Sequence, residues 1–199
     1  MKKTILTIVI IVILVVVGII LVKNMPAQKT TKTTVPKETV TPGITPNVET
    51  PVAPVEGAKQ AAPGTSFVTK EGEVVTPDGT PVKQDALPGA PEAPKQSKSL
   101  TETEIPAGSV QLNVTASGFT PNEFSVKAGQ VVTLTVTAGD EKTHVFKFDD
   151  ASLSAVAIGI AGHETRAITF KAPAKGDYSF FCDVPGHSQR GEKGVMHVN

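Results

Sequence analysis

The chain shows three successive patterns of hydrophobic and polar residues. An almost unbroken apolar run comes first, and a long polar stretch rich in proline follows it. Beyond residue 104, apolar and polar residues alternate over short segments, which is typical of half-buried β-strands. The patterns therefore predict a transmembrane helix over residues 1–23, a linker over 24–104 and an all-β domain over 105–199.

The first pattern is long enough to cross a membrane. The apolar run covers residues 5–22 and is interrupted only by Thr7 and Gly18. A helix of that length rises roughly 27 Å, close to the ~30 Å hydrocarbon core of a bilayer. The sequence after it is a poor cleavage signal, and Lys2 and Lys3 favour a cytoplasmic N-terminus. We expect a single-pass anchor in the cell membrane, with the C-terminal domain outside the cytoplasm. A removed signal peptide is the alternative, and it makes the protein periplasmic or secreted.

The second pattern lacks the residues that form a core. Residues 24–104 hold twelve of the sixteen prolines and only one of the nine aromatic residues, Phe67. Such a composition cannot bury enough apolar surface to offset the entropy of ordering the chain. We expect a disordered Pro/Thr-rich linker. Residues 66–87 are slightly more apolar and contain a Pro-Asp-Gly turn, so a hairpin or a segment docked on the domain is the alternative.

The third pattern predicts an antiparallel β-sandwich, because many short strands are separated by turns and amphipathic helices are absent. Strands are expected at residues 110–114, 119–126, 130–137, 143–148, 164–171, 177–182 and 194–198.

Charge and cysteine content narrow the function. The chain has 19 basic and 19 acidic residues. Because it has no basic excess, nucleic acid is an unsuitable partner. The only cysteine, Cys182, cannot form an internal disulfide, so it is a ligand, a reactive thiol or an intermolecular bridge. No nucleophile with a matching base is visible, so hydrolytic chemistry is not supported.

One thiol and two imidazoles stand at spacings that suit a metal. Cys182 ends a predicted strand, His187 follows it after four residues, and His144 lies on an earlier strand. Two histidines and one cysteine in a trigonal arrangement form the ligand set of blue-copper sites. The histidines at 163 and 197 are expected at the surface, and the aromatic residues in the core.

The segment from Gly176 to His187 resembles the signature of the cupredoxins, and the strand that carries His144 is similar to their upstream histidine strand. The similarity extends over residues 109–199. It implies a Greek-key cupredoxin sandwich, one mononuclear copper ion that cycles between Cu(I) and Cu(II), and a role as an electron carrier.

The resemblance fails at one position. The cupredoxins usually place an axial methionine shortly after the second histidine, and here Glu192 stands at that position, directly before Lys193 and Gly194. We expect Glu192 as the axial or near-axial ligand. Met196, or a site completed by water or left three-coordinate, is the alternative.

Four functions follow from these residues. The first is a one-electron carrier that docks with an extracytoplasmic redox partner protein and is not an enzyme. The second is a module for copper delivery, storage or sensing, or one associated with iron uptake. The third is a red-copper type of enzyme with a site perturbed by glutamate. A metal-free adhesion sandwich is the fourth, and it gives Cys182 and His187 no reason to lie together.

Overall fold

The computed structural model describes residues 55–199, and these residues form β-structure joined by turns. The expected anchor over 1–23 and the first part of the expected linker, 24–54, lie outside them. Within 55–199, no helix is long and apolar enough to cross a membrane. The strands are β1 Lys59–Gln60, β2 Phe67–Val68, β3 Val74–Val75, β4 Val110–Thr115, β5 Gly118–Thr120, β6 Glu123–Val126, β7 Val131–Ala138, β8 His144–Phe148, β9 Ala157–Ile160, β10 Thr165–Lys171, β11 Gly176–Cys182 and β12 Lys193–Val198.

Nine of these strands form a sandwich of two sheets. One sheet has the order β10-β7-β4-β5 and the other the order β6-β12-β11-β8-β9. Two neighbouring pairs, β4 with β7 and β6 with β12, are parallel, whereas the others are antiparallel. The all-β sandwich is confirmed, but the expectation of a wholly antiparallel one is corrected to a mixed one.

The core lies between the sheets because apolar residues occupy every second position of the strands. In β7, Val132, Leu134 and Val136 point inward and are at most 2% exposed, while the threonines between Val132 and Val136 lie on the other face. Each such aliphatic side chain contributes roughly 1.5–3 kcal/mol when it is fully buried. A cluster of phenylalanines from both sheets, including Phe146 and Phe180, packs in this core.

Two strand predictions are corrected. The strand expected over 119–126 is divided between the two sheets, because Pro121 interrupts it and cannot donate a ladder hydrogen bond. The strand β9 was not expected, since its four residues include Gly159 and lack a clear alternation in the sequence.

The expectation of a disordered linker is wrong for residues 55–104, which we name the N-terminal strap. The strap begins with the small sheet β1-β2-β3 and then runs along β10. Ser97 donates its backbone N–H to the Ala167 carbonyl, and its hydroxyl accepts from the Ala167 N–H. Leu100, Ala62 and Ala167 form a small buried cluster beneath it. The strap is therefore part of the folded unit. Residues 66–87 both form a hairpin, β2 with β3, and dock on β10, so the alternative to a disordered linker is the correct one there.

Polar side chains attach the strap to the edges of both sheets. Gln84 pairs with both backbone groups of Lys171, at the end of β10. The side-chain oxygen of Gln96 accepts a hydrogen bond from the Gly159 N–H on β9, at 2.9 Å. Because β10 and β9 are the edge strands on the same side of the sandwich, the strap covers backbone groups that otherwise invite pairing with another chain.

Candidate metal centre

Three strands carry a metal-ligating type of residue at or directly beside one terminus: His144 begins β8, Cys182 ends β11 and Glu192 precedes β12. On β8 the inward-facing row is His144, Phe146 and Phe148, and on β11 it is Phe180 and Cys182. Cys182 pairs in register with Phe146. Glu192 directly precedes β12 and is completely buried. The alternation that forms the core thus also directs these polar groups to one end of it.

The loop from Cys182 to Glu192 folds back on itself. The N–H of Cys182 donates to the Glu192 carbonyl at 3.0 Å, which closes the loop at its base. Within it, His187 precedes a single 3-10 turn over Ser188–Arg190. Gly191 ends this turn with φ at 104°, a left-handed conformation that glycine adopts without strain. The turn places His187 and Glu192 on the same side as Cys182.

The ligand atoms of His144, Cys182, His187 and Glu192 all lie within 4.8 Å of one another. Glu192 Oε2 is 2.8 Å from His144 Nδ1 and 2.9 Å from His187 Nδ1. Cys182 Sγ is 3.5 Å from His187 Nδ1 and 3.9 Å from His144 Nδ1. All four residues are buried, and His187 has the most exposed side chain, at 10%. The structure therefore brings together the four residues that the sequence analysis named.

Met196 lies elsewhere. It is buried in the sandwich core and pairs in register with Tyr178. Because Tyr178 is four residues before Cys182 on β11, Met196 is about 13 Å along the strand from the thiol. Of the two protein side chains considered for the axial position, only Glu192 faces the other three groups.

The charges of the centre depend on each other. Burial alone raises the pKa of Glu192, but hydrogen bonds from His144, Cys182 and Arg190 outweigh it and lower the pKa below its ordinary value. Burial, together with the negative charge of Glu192, raises the pKa of the Cys182 thiol. The Val145 N–H, which donates to Cys182 Sγ at 3.3 Å, acts in the opposite direction. Binding of a metal to the sulfur must therefore release a proton.

Two contacts around the centre were missed by the sequence analysis. Asp140 Oδ1 is 3.0 Å from His144 Nε2, and Arg190 Nη2 is 3.2 Å from Glu192 Oε1. Burial raises the pKa of Asp140, but hydrogen bonds from His144, Lys142 and Ala116 outweigh it and lower the pKa to about 2. The only signal in the sequence is a charged residue four positions before His144 and another two before Glu192, and neither spacing is distinctive.

The donor set fits a copper ion. Two imidazole nitrogens, one sulfur and one carboxylate oxygen converge, with separations of 2.8–3.9 Å along the closest pairs. Atoms bound to one ion at about 2.0–2.3 Å are separated by distances of this order. Soft sulfur suits Cu(I), and imidazole suits either oxidation state.

The remaining histidines do not join the centre. His163 is exposed on a turn, with φ at 61°. His197 is 37% exposed and pairs with Asp177 at 2.8 Å. Asp149 and Asp150 follow β8, and Asp150 accepts from the backbone of Ser152 at the start of a 3-10 turn. The placements of His163 and His197 agree with the expectation that both lie at the surface.

Comparison with known proteins gives a consistent result. Residues 94–194 match the model of the cupredoxin-like domain family. The chain is 36% identical over 89 residues to the chloroplastic plastocyanin of Hordeum vulgare, covering 41% of this chain. It spans 54% of the length of that curated relative.

Two solved structures are also similar. Reduced auracyanin from Roseiflexus castenholzii is 23% identical, with 47% of this chain and 98% of that chain covered and a TM-score of 0.42. Auracyanin A, a blue copper protein from Chloroflexus aurantiacus, is 25% identical, with 46% and 98% covered and a TM-score of 0.38. The family match covers half of the sequence, so this chain belongs to the cupredoxin-like domain family, a family of copper-binding electron carriers.

Proposed function

We propose that this chain binds one copper ion through His144, Cys182, His187 and Glu192, and that it acts as a one-electron carrier. The observation that carries the proposal is the convergence of four buried donor atoms within 4.8 Å, at the end of a rigid sandwich. Copper, when bound, supplies the redox couple between Cu(I) and Cu(II).

Each side chain has a distinct part in this function. The Cys182 thiolate is a soft donor and favours the reduced ion, whereas the imidazoles of His144 and His187 accept both oxidation states. The Glu192 carboxylate is a harder, anionic donor than the thioether usual in the family. It favours Cu(II) and lowers the reduction potential, so we expect a copper site that departs from a standard blue one.

The strands limit how far the ligands move when the charge changes. Cys182 and His144 belong to β11 and β8, which are hydrogen-bonded neighbours. The Val145 N–H donates to Cys182 Sγ, and the Cys182 N–H holds the backbone of Glu192. A ligand set held in this way reorganises little, and small reorganisation lowers the barrier to electron transfer. His187 is the most exposed ligand, so a partner approaches the copper most closely over it.

We further propose that the carrier works at a membrane surface. Residues 1–23 would anchor it in the cell membrane, and residues 24–54 would serve as the linker to the folded unit. This arrangement keeps the domain outside the cytoplasm and near membrane-bound redox proteins, where a tether raises the local concentration. If the first segment is removed, the same domain would be periplasmic or secreted.

Copper handling is the second candidate, because an anionic Glu192 strengthens the retention of Cu(II). Reversible one-electron cycling at a fixed potential supports the carrier, whereas transfer of the ion itself to an acceptor supports handling. A ligand on Cu(II) that exchanges with solvent would instead indicate a red-copper type of enzyme.

The test is a copper titration of the full chain, followed by its optical and EPR spectra. We expect one Cu(II) per chain and an intense charge-transfer band from sulfur to copper, lost in Cys182→Ser. His163→Asn is the matched control, because His163 is exposed and lies outside the centre. Absence of stoichiometric copper and of the band would overturn the proposal.

A further inference from the structure

We propose that Asp140 and Arg190 are positioning residues of the metal centre. Asp140 contacts His144 and Arg190 contacts Glu192, each on the side away from the metal. Asp140 lowers the reduction potential of the copper, whereas Arg190 raises it. The inference rests on the proposed copper-binding function and deepens it, since it assigns two residues beyond the four ligands.

Asp140 is itself firmly held. Its Oδ2 accepts a hydrogen bond from the Ala116 N–H, and its Oδ1 accepts one from the Lys142 N–H, each at 2.9 Å. Its backbone carbonyl accepts from the His163 N–H at 3.1 Å. The Oδ1 atom then lies 3.0 Å from Nε2 of His144, which is completely buried. The carboxylate is thus a fixed acceptor and not a mobile surface charge.

This contact suits the tautomer of His144 that a bound metal requires. Nδ1 faces the other ligand atoms and must offer its lone pair to a metal, so the proton must reside on Nε2. Asp140 accepts that proton in a hydrogen bond and fixes the plane of the ring. An anionic acceptor at the outer nitrogen also makes the inner nitrogen a stronger donor, and a stronger donor favours Cu(II).

Arg190 acts on the opposite side of the ligand set. Its guanidinium contacts Oε1 of Glu192 at 3.2 Å, whereas Oε2 faces the two imidazoles. The side chain of Arg190 is 46% exposed, while that of Glu192 is fully buried. Arg190 therefore orients the Glu192 carboxylate, with Oε1 toward the guanidinium and Oε2 toward the centre. Its positive charge opposes the extra positive charge of Cu(II) and favours Cu(I).

The test measures the reduction potential of the full, copper-loaded chain with two substitutions. Asp140→Asn removes a negative charge and weakens the His144 donor, so we expect a tenfold lower affinity for Cu(II) relative to Cu(I), which raises the potential by about 59 mV. Arg190→Gln removes a positive charge, so the potential falls, and Arg190→Lys restores it in part. If the two substitutions only loosened the packing around the ligands, the reduction potential would not shift in opposite directions.

The chain offers matched controls. Arg166 contacts Glu164 at 3.1 Å across the same separation of two residues, but on β10. Asp150 is an exposed aspartate at the far end of β8 from His144. Arg166→Gln and Asp150→Asn should leave the potential unchanged.

A second readout uses the chain loaded with diamagnetic Cu(I). Nitrogen NMR should show a His144 Nε2 proton that is protected from exchange with water, because Asp140 accepts it in a hydrogen bond. Asp140→Asn should speed that exchange, while Arg190→Gln leaves it unchanged. Fast exchange of this proton in the wild-type chain would overturn the part of the inference assigned to Asp140, even where the variant fails to fold.

The outcomes separate this inference from the proposed function. A wild-type chain without copper would overturn the function, and with it the inference that rests on that function. A wild-type chain with copper, combined with shifts of the same sign or no shifts in the two variants, would overturn the inference alone.

Discussion

The Oε2 atom of Glu192 lies 2.8 Å from Nδ1 of His144, and both side chains are completely inaccessible to solvent. A carboxylate buried without compensation is strongly unfavourable, so its position needs partners. Glu192 has them in His144, His187 and Arg190. These three partners stabilise the buried carboxylate at this end of the sandwich. Glu192 thereby places an anionic oxygen where cupredoxins usually have a thioether.

The first prediction concerns this oxygen. Glu192→Gln keeps the size of the side chain and removes its charge, so Cu(II) loses an anionic neighbour and the reduction potential rises. We expect a rise of at least about 60 mV, a tenfold change in relative affinity, and a displaced charge-transfer band. Voltammetry and optical spectra measure both. Glu164→Gln, which removes a carboxylate paired with Arg166 at the surface, is the control. An unchanged potential and spectrum in Glu192→Gln would rule out axial ligation by Glu192.

The second prediction concerns the N-terminal strap. A fragment of residues 105–199 leaves the edge of β10 without its cover, so it should unfold at lower denaturant concentration than residues 55–199. It should also self-associate, because exposed edge strands pair with other chains. Denaturant titration and sedimentation measure the two effects. Equal unfolding midpoints and a monomeric short fragment would show that the strap does not stabilise the sandwich.

A point substitution tests the same contact more finely. Gln84→Ala removes both hydrogen bonds to the Lys171 backbone and should cost about 1–3 kcal/mol in the free energy of unfolding. The neighbouring Asp85→Ala is the control, because Asp85 is exposed. Equal free energies of unfolding for the two variants would refute the role of Gln84.

The sequence predicted those metal-ligating residues that lie on strands with a clear alternation of apolar and polar positions. His144 and Cys182 continue apolar rows with a period of two, so their burial and their common direction follow from the pattern of β8 and β11. His187 and Glu192 could be named because the loop spacing resembles a known family. These features are local, and each can be read within a few residues.

The remaining features depend on contacts between distant segments. Ser97 and Gln84 attach the strap through single polar side chains, which leave no periodic signal, and the many prolines of that region favoured a linker. Asp140 and Arg190 could not be identified either, because only the folded turns bring them to His144 and Glu192. The pairing of β4 with β7 in parallel likewise depends on the sheet as a whole.

The third prediction concerns the close approach of strands next to the centre. A methyl group at Gly194 would overlap the Asn122 carbonyl oxygen and the ring of Phe180. Gly194→Ala should therefore destabilise the domain by about 1–3 kcal/mol, since a packed core cannot accommodate the added volume. Gly159→Ala is the matched control on β9, where no atom lies within 4 Å of the added methyl group. Denaturant unfolding measures both variants, and a loss no greater for Gly194→Ala would contradict the packing argument.

The last prediction is a pH dependence remote from the centre. The hydrogen bond to Asp177, at 2.8 Å on the neighbouring strand, raises the pKa of His197 above its ordinary value of 6.5. A raised pKa means that the folded chain binds the proton more tightly than the unfolded chain does. The stabilising contribution is therefore complete below about pH 6.5 and is lost as the pH rises through the higher pKa of the folded state.

A double-mutant cycle of His197→Gln and Asp177→Asn isolates this pair, because contributions from other groups cancel. In the metal-free chain, the coupling free energy should be favourable at about pH 5.5 and absent at about pH 10. Because the pair is exposed, we expect the coupling to weaken further as salt is added. A coupling that stayed the same at both pH values would show that the neutral imidazole makes the same interaction with Asp177, and the positive charge of His197 would then have no part in joining β12 to β11.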